Sequence, residues 1–150
     1  MDQYLLARFL HILFAAIWFG LTIGGGQKAL WFAREDLGKA DKPTAYLIKS
    51  GIIGTAVGVL TIFAGNWLVS QTGGWEEVST PIHVGATLAI AILVIGAWPI
   101  GQGWRKLAKE RSNDADQATL DAIAKRIGLW DRVVQLLWII VLATMVFRHI

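Results

Sequence analysis

Two histidines stand in segments that are otherwise free of charge. His11 lies in a stretch without Asp, Glu, Lys or Arg from 9 to 27, and His83 lies in a second such stretch from 78 to 104. An ionisable side chain inside an apolar segment of membrane length is rare and usually lines a site or a water-filled cavity. Neutral imidazole is a common metal ligand and holds haem iron in many proteins. The two positions therefore predict a haem site with His11 and His83 as iron ligands.

Two arginines and a tryptophan extend this candidate site. Arg8 precedes His11 by about one helical turn, and Arg148 lies at the end of the last apolar segment. Haem propionates are anionic, and guanidinium groups bind carboxylates bidentately. Trp18, about two turns after His11, is a candidate to contact a flat cofactor, although packing or lipid contact would also explain it. The predicted cofactor is haem b, bound by His11, His83, Arg8, Arg148 and Trp18.

Each of these residues also has an ordinary explanation. A histidine one or two turns inside a membrane can hydrogen-bond a neighbouring carbonyl or hydroxyl, and arginines near helix ends can snorkel to lipid phosphates. The third histidine, His149, is predicted to be solvated. It is the grouping of these side chains near one membrane face that favours the haem hypothesis over separate structural roles.

The elements that must position these residues are four apolar segments. The chain is 55% hydrophobic and only 17% charged, whereas soluble domains carry about a quarter charged residues. A helix needs about 20 apolar residues to span the hydrocarbon. The sequence predicts an all-α integral membrane protein, a four-helix up-down-up-down bundle that forms one domain over 1–150. Its helices are predicted at approximately 4–32, 45–72, 79–105 and 127–149.

The distribution of basic residues predicts the orientation of this bundle. Lysines and arginines concentrate between the first and second segments and between the third and fourth segments. Loops rich in Lys and Arg stay on the cytoplasmic side, so both termini are predicted to lie on the outer, periplasmic side of a bacterial inner (plasma) membrane. Helices 1 and 3 then run in the same direction. At about 1.5 Å per residue, His11 and His83 differ in depth by roughly 5 Å or less.

Composition argues against several other chemistries. The chain has no cysteine and two methionines, which argues against disulfides, thiolate metal sites and copper handling. The basic charge is explained by the membrane-flanking loops, so no nucleic acid partner is predicted. The spaced pairs Gly20–Gly24 and Gly54–Gly58 are predicted to let helices approach closely.

One run in the first segment resembles a known group of proteins. The run HILFAAIWFG contains His11, Trp18 and Gly20, and IHVG surrounds His83; together they resemble the CopD/HemJ-like group of bacterial membrane proteins. The likeness in hydropathy extends over the whole chain. The resemblance implies a bundle of four or more helices, with the helix-1 and helix-3 histidines of HemJ-type proteins corresponding to His11 and His83. HemJ-type members are linked to haem b and protoporphyrinogen oxidation, and CopD-type members to copper uptake.

Three functions follow as hypotheses. The leading one is a small integral-membrane haem b-binding protein, cytochrome b-like, that transfers electrons near the outer membrane face to or from a quinone or an outer redox protein. The second is a non-catalytic accessory subunit of a larger respiratory or photosynthetic membrane complex. The third is a HemJ-like protoporphyrinogen oxidase, so whether the chain is an enzyme stays open.

Overall fold

The described part of the chain is built from helices alone. The computed structural model describes residues 2–34 and 42–146, with side chains in both ranges except at 42–48. An all-α fold is thereby confirmed for these residues. The helices are α1 (Gln3–Thr22), α2 (Gly25–Arg34), α3 (Lys42–Ser70), α4 (Thr80–Ile95), α5 (Gly101–Ser112) and α6 (Gln117–Val146), with a π-helical segment (Gly96–Ile100) between α4 and α5.

Four helical stretches among the described residues are long and apolar enough to cross a membrane. Their outer surfaces carry large apolar side chains, including Phe63 at 69% exposure and Ile139 at 64%. Contiguous apolar surface of this kind marks a protein that meets lipid or a partner. The membrane class is supported, and the orientation of the termini stays a prediction. The four stretches are Gln3–Arg34, Lys49–Ser70, Thr80–Ser112 and Gln117–Val146.

The first predicted helix, at 4–32, is interrupted. It breaks at Ile23 and Gly24, and Gly24 has a φ of +76°, a left-handed conformation that glycine adopts without steric cost. A run of three glycines also lowers helix propensity. The single helix expected from hydropathy is therefore two helices, α1 and α2, whereas α3 lies close to its predicted range of 45–72.

The third and fourth predicted helices are longer than expected at the end away from the histidines. The third continues past 105 to Ser112, and the fourth begins at Gln117 instead of 127. Asp116 explains this early start, because its Oδ1 accepts a hydrogen bond of 2.8 Å from the Thr119 N–H, as an N-cap residue does. The predicted end at 149 lies outside the described residues.

Neighbouring helices pack antiparallel, as the up-down order predicts. On α1 and α3, His11 meets Thr61 whereas Trp18, further along α1, meets Gly58. On α4 and α6, Gly85 lies against the Thr144 side chain. The most extensive contacts are those of α1 with α3, of α2 with α6 and of α4 with α6, and α1 lies diagonally opposite α4.

After the break, α2 leaves α3 and packs on α6. A Cβ built on Gly26 would lie 2.7 Å from the Cα of Gly128, so the two backbones touch. At the far end of α2, the Arg34 guanidinium forms a 3.1 Å ion pair with Asp121 on α6. Following the predicted orientation, we call this end the inner end. Its core consists of Ala29, Phe32, Ala33, Leu107, Leu120, Ala124 and Ile127.

The glycine pairs behave less uniformly than their spacing predicts. A Cβ on Gly20, Gly24 or Gly54 would meet no atom within 4 Å, so the close packing predicted at these three positions is wrong. At Gly58 the prediction is right, since a Cβ there would lie 2.7 Å from the Trp18 ring. On α3, Gly58 therefore permits a close contact with α1, whereas Gly54 borders open space.

Candidate functional site

His11 is anchored to the backbone of α3. Its Nδ1 lies 3.0 Å from the carbonyl oxygen of Thr61. A carbonyl oxygen can only accept a hydrogen bond, so Nδ1 carries the proton and donates. In the neutral ring, the lone pair then resides on Nε2, which is the nitrogen that remains for a metal. The α3 backbone thus selects one tautomer of His11.

The His11 ring reaches α3 because position 65 is glycine. A Cβ on Gly65 would lie 3.0 Å from Cε1 and 3.1 Å from Nδ1 of the imidazole. Thr61 does not compete for the ring nitrogen, since its hydroxyl donates to the Val57 carbonyl at 2.9 Å. The sequence analysis did not identify Thr61 or Gly65. The available signal was a threonine and a glycine four residues apart, on one face of α3.

We expect Gly65→Val to displace the His11 ring from the Thr61 carbonyl. Overpacking of this kind costs about 1–3 kcal/mol of unfolding free energy. The ring ¹⁵N and Nδ1–H NMR signals of His11 in detergent micelles report the displacement directly. Gly20→Val is the matched control, because a Cβ there meets no atom within 4 Å. Unchanged His11 signals in Gly65→Val would contradict the described contact.

His83 has different surroundings. It is exposed, on the same face of α4 as the exposed Thr87 and Ile90, and its ring centroid lies 5.4 Å from that of Trp75. The face of α4 that enters the bundle carries the buried Gly85 instead. Among the described contacts, none joins His11 to His83, so the structure does not bring the two predicted ligands together.

The other predicted site residues are placed as follows. Arg8 is exposed on α1 and forms no hydrogen bond or ion pair with the described residues. Trp18 is 3% exposed and packs edge-on against Trp138, with ring centroids 5.1 Å apart. It therefore fills the middle of the bundle on the inner side of His11. Arg148 lies outside the described residues.

Trp138 adds a polar atom to this apolar centre. Its Nε1 is buried and has no hydrogen-bond partner among the described residues. Buried tryptophan N–H groups are usually paired. The middle of the bundle thus contains a free donor that the sequence analysis did not single out, beside the predicted site residue Trp18.

A buried carboxylate at the inner end was also missed. Asp131 on α6 is 6% exposed, and its Oδ2 accepts hydrogen bonds from the Gly26 N–H at 3.1 Å and from the Gln135 side chain at 2.9 Å. The carboxylate sits at the N-terminus of α2, where backbone N–H groups lack partners within the helix. The available signal was spacing: Asp131 shares one face of α6 with the apolar residues Ile127 and Val134.

Asp131 lines a cavity of about 490 Å³ between the helices at the inner end. The basic side chains of Lys28 and Arg105 line it as well, together with the rings of Trp18 and Trp104. The cavity is therefore apolar along its walls and charged at a few points, which is the usual composition of a small-molecule site.

The chain matches no protein family model, no curated protein and no solved structure. Among the described residues, no group of three or more His, Cys, Asp or Glu side chains is placed to hold a metal ion.

Proposed function

We propose that this chain is a small integral-membrane haem b-binding protein, cytochrome b-like, that transfers electrons near the outer face of the bacterial inner membrane. The observation that carries the proposal is the 3.0 Å contact between His11 Nδ1 and the Thr61 carbonyl oxygen. Histidines that bind a metal almost always donate their other ring N–H to a carbonyl or a carboxylate. His11 has this arrangement in an otherwise apolar segment.

The residues around His11 have separable roles in this proposal. The Thr61 carbonyl fixes the ring and increases the basicity of Nε2, and Gly65 permits the approach. Arg8, about one turn outward, is the candidate partner of a propionate. Bound haem would supply one-electron chemistry at its iron. His83 lies on the exposed face of α4 and would bind the iron only if the haem reached that face. The proposed haem site therefore rests on His11.

The test is a dithionite-reduced minus oxidised visible spectrum of the protein purified in mild detergent. The wild type is expected to show a sharp α-band, and His11→Ala to reduce haem per chain by at least tenfold at unchanged helical content. His149→Ala is the control, since that histidine is predicted to be solvated. A wild type without haem, or His11→Ala with full haem content, would overturn the proposal.

The same preparation separates the other two hypotheses. Oxidation of protoporphyrinogen by haem-containing protein would identify a HemJ-like enzyme. Co-purification with large subunits and no chromophore would identify an accessory subunit. A quinone or an outer redox protein is the proposed partner if electron transfer is the function, and the surrounding lipid bilayer is expected in every case.

A further inference from the structure

We propose that the cavity beside Asp131, here called the inner cavity, binds a small aromatic monoanion that carries a hydrogen-bond donor at its far end. Asp131 would accept the donor, and Arg105 would bind the anionic group. This site is separate from His11, since Trp18 lies between them along α1. The proposal goes beyond the proposed function and does not depend on haem.

Asp131 presents an acceptor with room for a donor. Both hydrogen bonds that it receives end on Oδ2, and Oδ1 receives none from the described residues. A carboxylate oxygen has two acceptor sites, and leaving a buried acceptor unpaired is unfavourable. Because the side chain is only 6% exposed and lines the cavity, a donor placed there would be held away from bulk water.

The two cations of the cavity lie at different levels. The Lys28 ammonium donates a hydrogen bond of 3.4 Å back to the Ile23 carbonyl, at the break in the first span, so its charge is held near the start of α2, where Asp131 lies. Arg105 follows Gly103, which contacts Ile127, one turn inward of Asp131 on α6.

The formal charges that line the cavity favour an anion. Among its described lining residues, the charged side chains are Lys28, Arg105 and Asp131, with two positive formal charges and one negative. A monoanion would neutralise them. It would have to enter with its donor toward Asp131 and its anionic group toward the inner end.

The walls suit a flat ring. A Cβ on Gly51, Gly54 or Gly96 would meet no atom within 4 Å, so these glycines border open space. The rings of Trp18 and Trp104 supply aromatic surface to the wall of the cavity, on which a flat ring can stack. The π-helical segment that contains Pro99 forms part of the wall, and such segments are frequent at functional sites. The volume lies within the range of about 300–1,000 Å³ typical of small-molecule sites.

The order of charges distinguishes this ligand from others. A phospholipid has its phosphate nearer the acyl chains than the donor at the tip of its headgroup, whereas here the acceptor lies deeper than Arg105. A neutral hydroquinone would satisfy Asp131 but leave the net positive charge uncompensated. Both are outcomes that the experiment below detects.

The experiment is calorimetric titration of His11→Ala protein in lipid nanodiscs, so that its result is independent of haem. The probes are 4-hydroxybenzoate, benzoate without the donor, 4-hydroxybenzyl alcohol without the anion, and hydroquinone. A short-chain phospholipid is titrated separately into the same protein in detergent. We expect 4-hydroxybenzoate to bind at least tenfold more tightly than either matched probe. Equal affinities, no binding of any probe, or tighter binding of hydroquinone or of a phospholipid would overturn the proposal.

Three variants locate the binding site. Arg105→Gln is expected to weaken the binding of 4-hydroxybenzoate and of benzoate alike, by at least threefold. Asp131→Asn, which retains an acceptor for the Gly26 N–H, is expected to abolish the preference for 4-hydroxybenzoate over benzoate. Lys125→Gln removes an exposed cation outside the cavity and is the control. Unchanged selectivity in folded Asp131→Asn would assign the binding to another place and overturn the proposal.

Discussion

Gly26→Ala is expected to lower the free energy of unfolding by about 1–3 kcal/mol, the range for overpacking a filled interface. The new Cβ would lie 2.7 Å from the Cα of Gly128, and a backbone atom cannot rotate away as a side chain can. The helices α2 and α6 would have to separate. Thermal or denaturant unfolding in detergent, followed by circular dichroism, measures the effect.

Gly128→Ala is the matched control for that experiment. It makes the same substitution on the facing helix, yet its Cβ would lie 3.6 Å from the Gly26 Cα, an ordinary van der Waals distance. Replacing a helical glycine by alanine increases intrinsic helix stability by about 1 kcal/mol. We therefore expect Gly128→Ala to be neutral or stabilising, and equal destabilisation by both variants would contradict the described interface.

Asp131→Leu is expected to undock α2 from α6. Leucine is larger than aspartate and apolar, and it leaves the Gly26 N–H and the Gln135 amide without their acceptor. Each buried unpaired group costs about 1–3 kcal/mol. The N-terminus of α2 also loses a favourable negative charge. Faster amide hydrogen exchange in α2 than in α3 is the expected signature, measured by mass spectrometry.

Asp131→Asn separates the loss of the hydrogen bonds from the loss of the negative charge. The amide oxygen can still accept from Gly26, so we expect its α2 to remain close to wild type in exchange rate. If Asp131→Leu also exchanged at the wild-type rate, the buried carboxylate would have no structural role, and the packing of Gly26 on Gly128 alone would hold α2.

The four spans were predictable because lipid imposes a simple rule. Long runs without charge, such as 50–75, have few alternatives to a membrane helix. The exact ends of the helices were harder to predict from sequence, because they depend on local contacts. The start of α6 is set by the cap at Asp116, and the break after α1 by the backbone conformation of Gly24.

The sequence indicated which residue types form the candidate site, but not which residues they contact. His11 stood out because it is the sole ionisable group in its segment, but its contact with Thr61 joins positions 50 apart in sequence. Asp131 was hidden for the opposite reason. It lies inside the helix predicted at 127–149, but beside Arg132 and close to Lys125 and Arg126. It therefore resembles one more charge near the membrane surface until its hydrogen bond with Gly26, 105 positions away in sequence, is seen.

The break at Gly24 has a consequence for the order of assembly. The first half of the first span pairs with α3, and the second half, α2, pairs with α6. Among the described helices, α1 with α3 and α4 with α6 would otherwise form two hairpins with limited contact between them. Because α2 precedes α6 in the chain, it cannot dock until α6 has been synthesised and inserted, and so the second half of the first span waits for the fourth span before it can join the two hairpins.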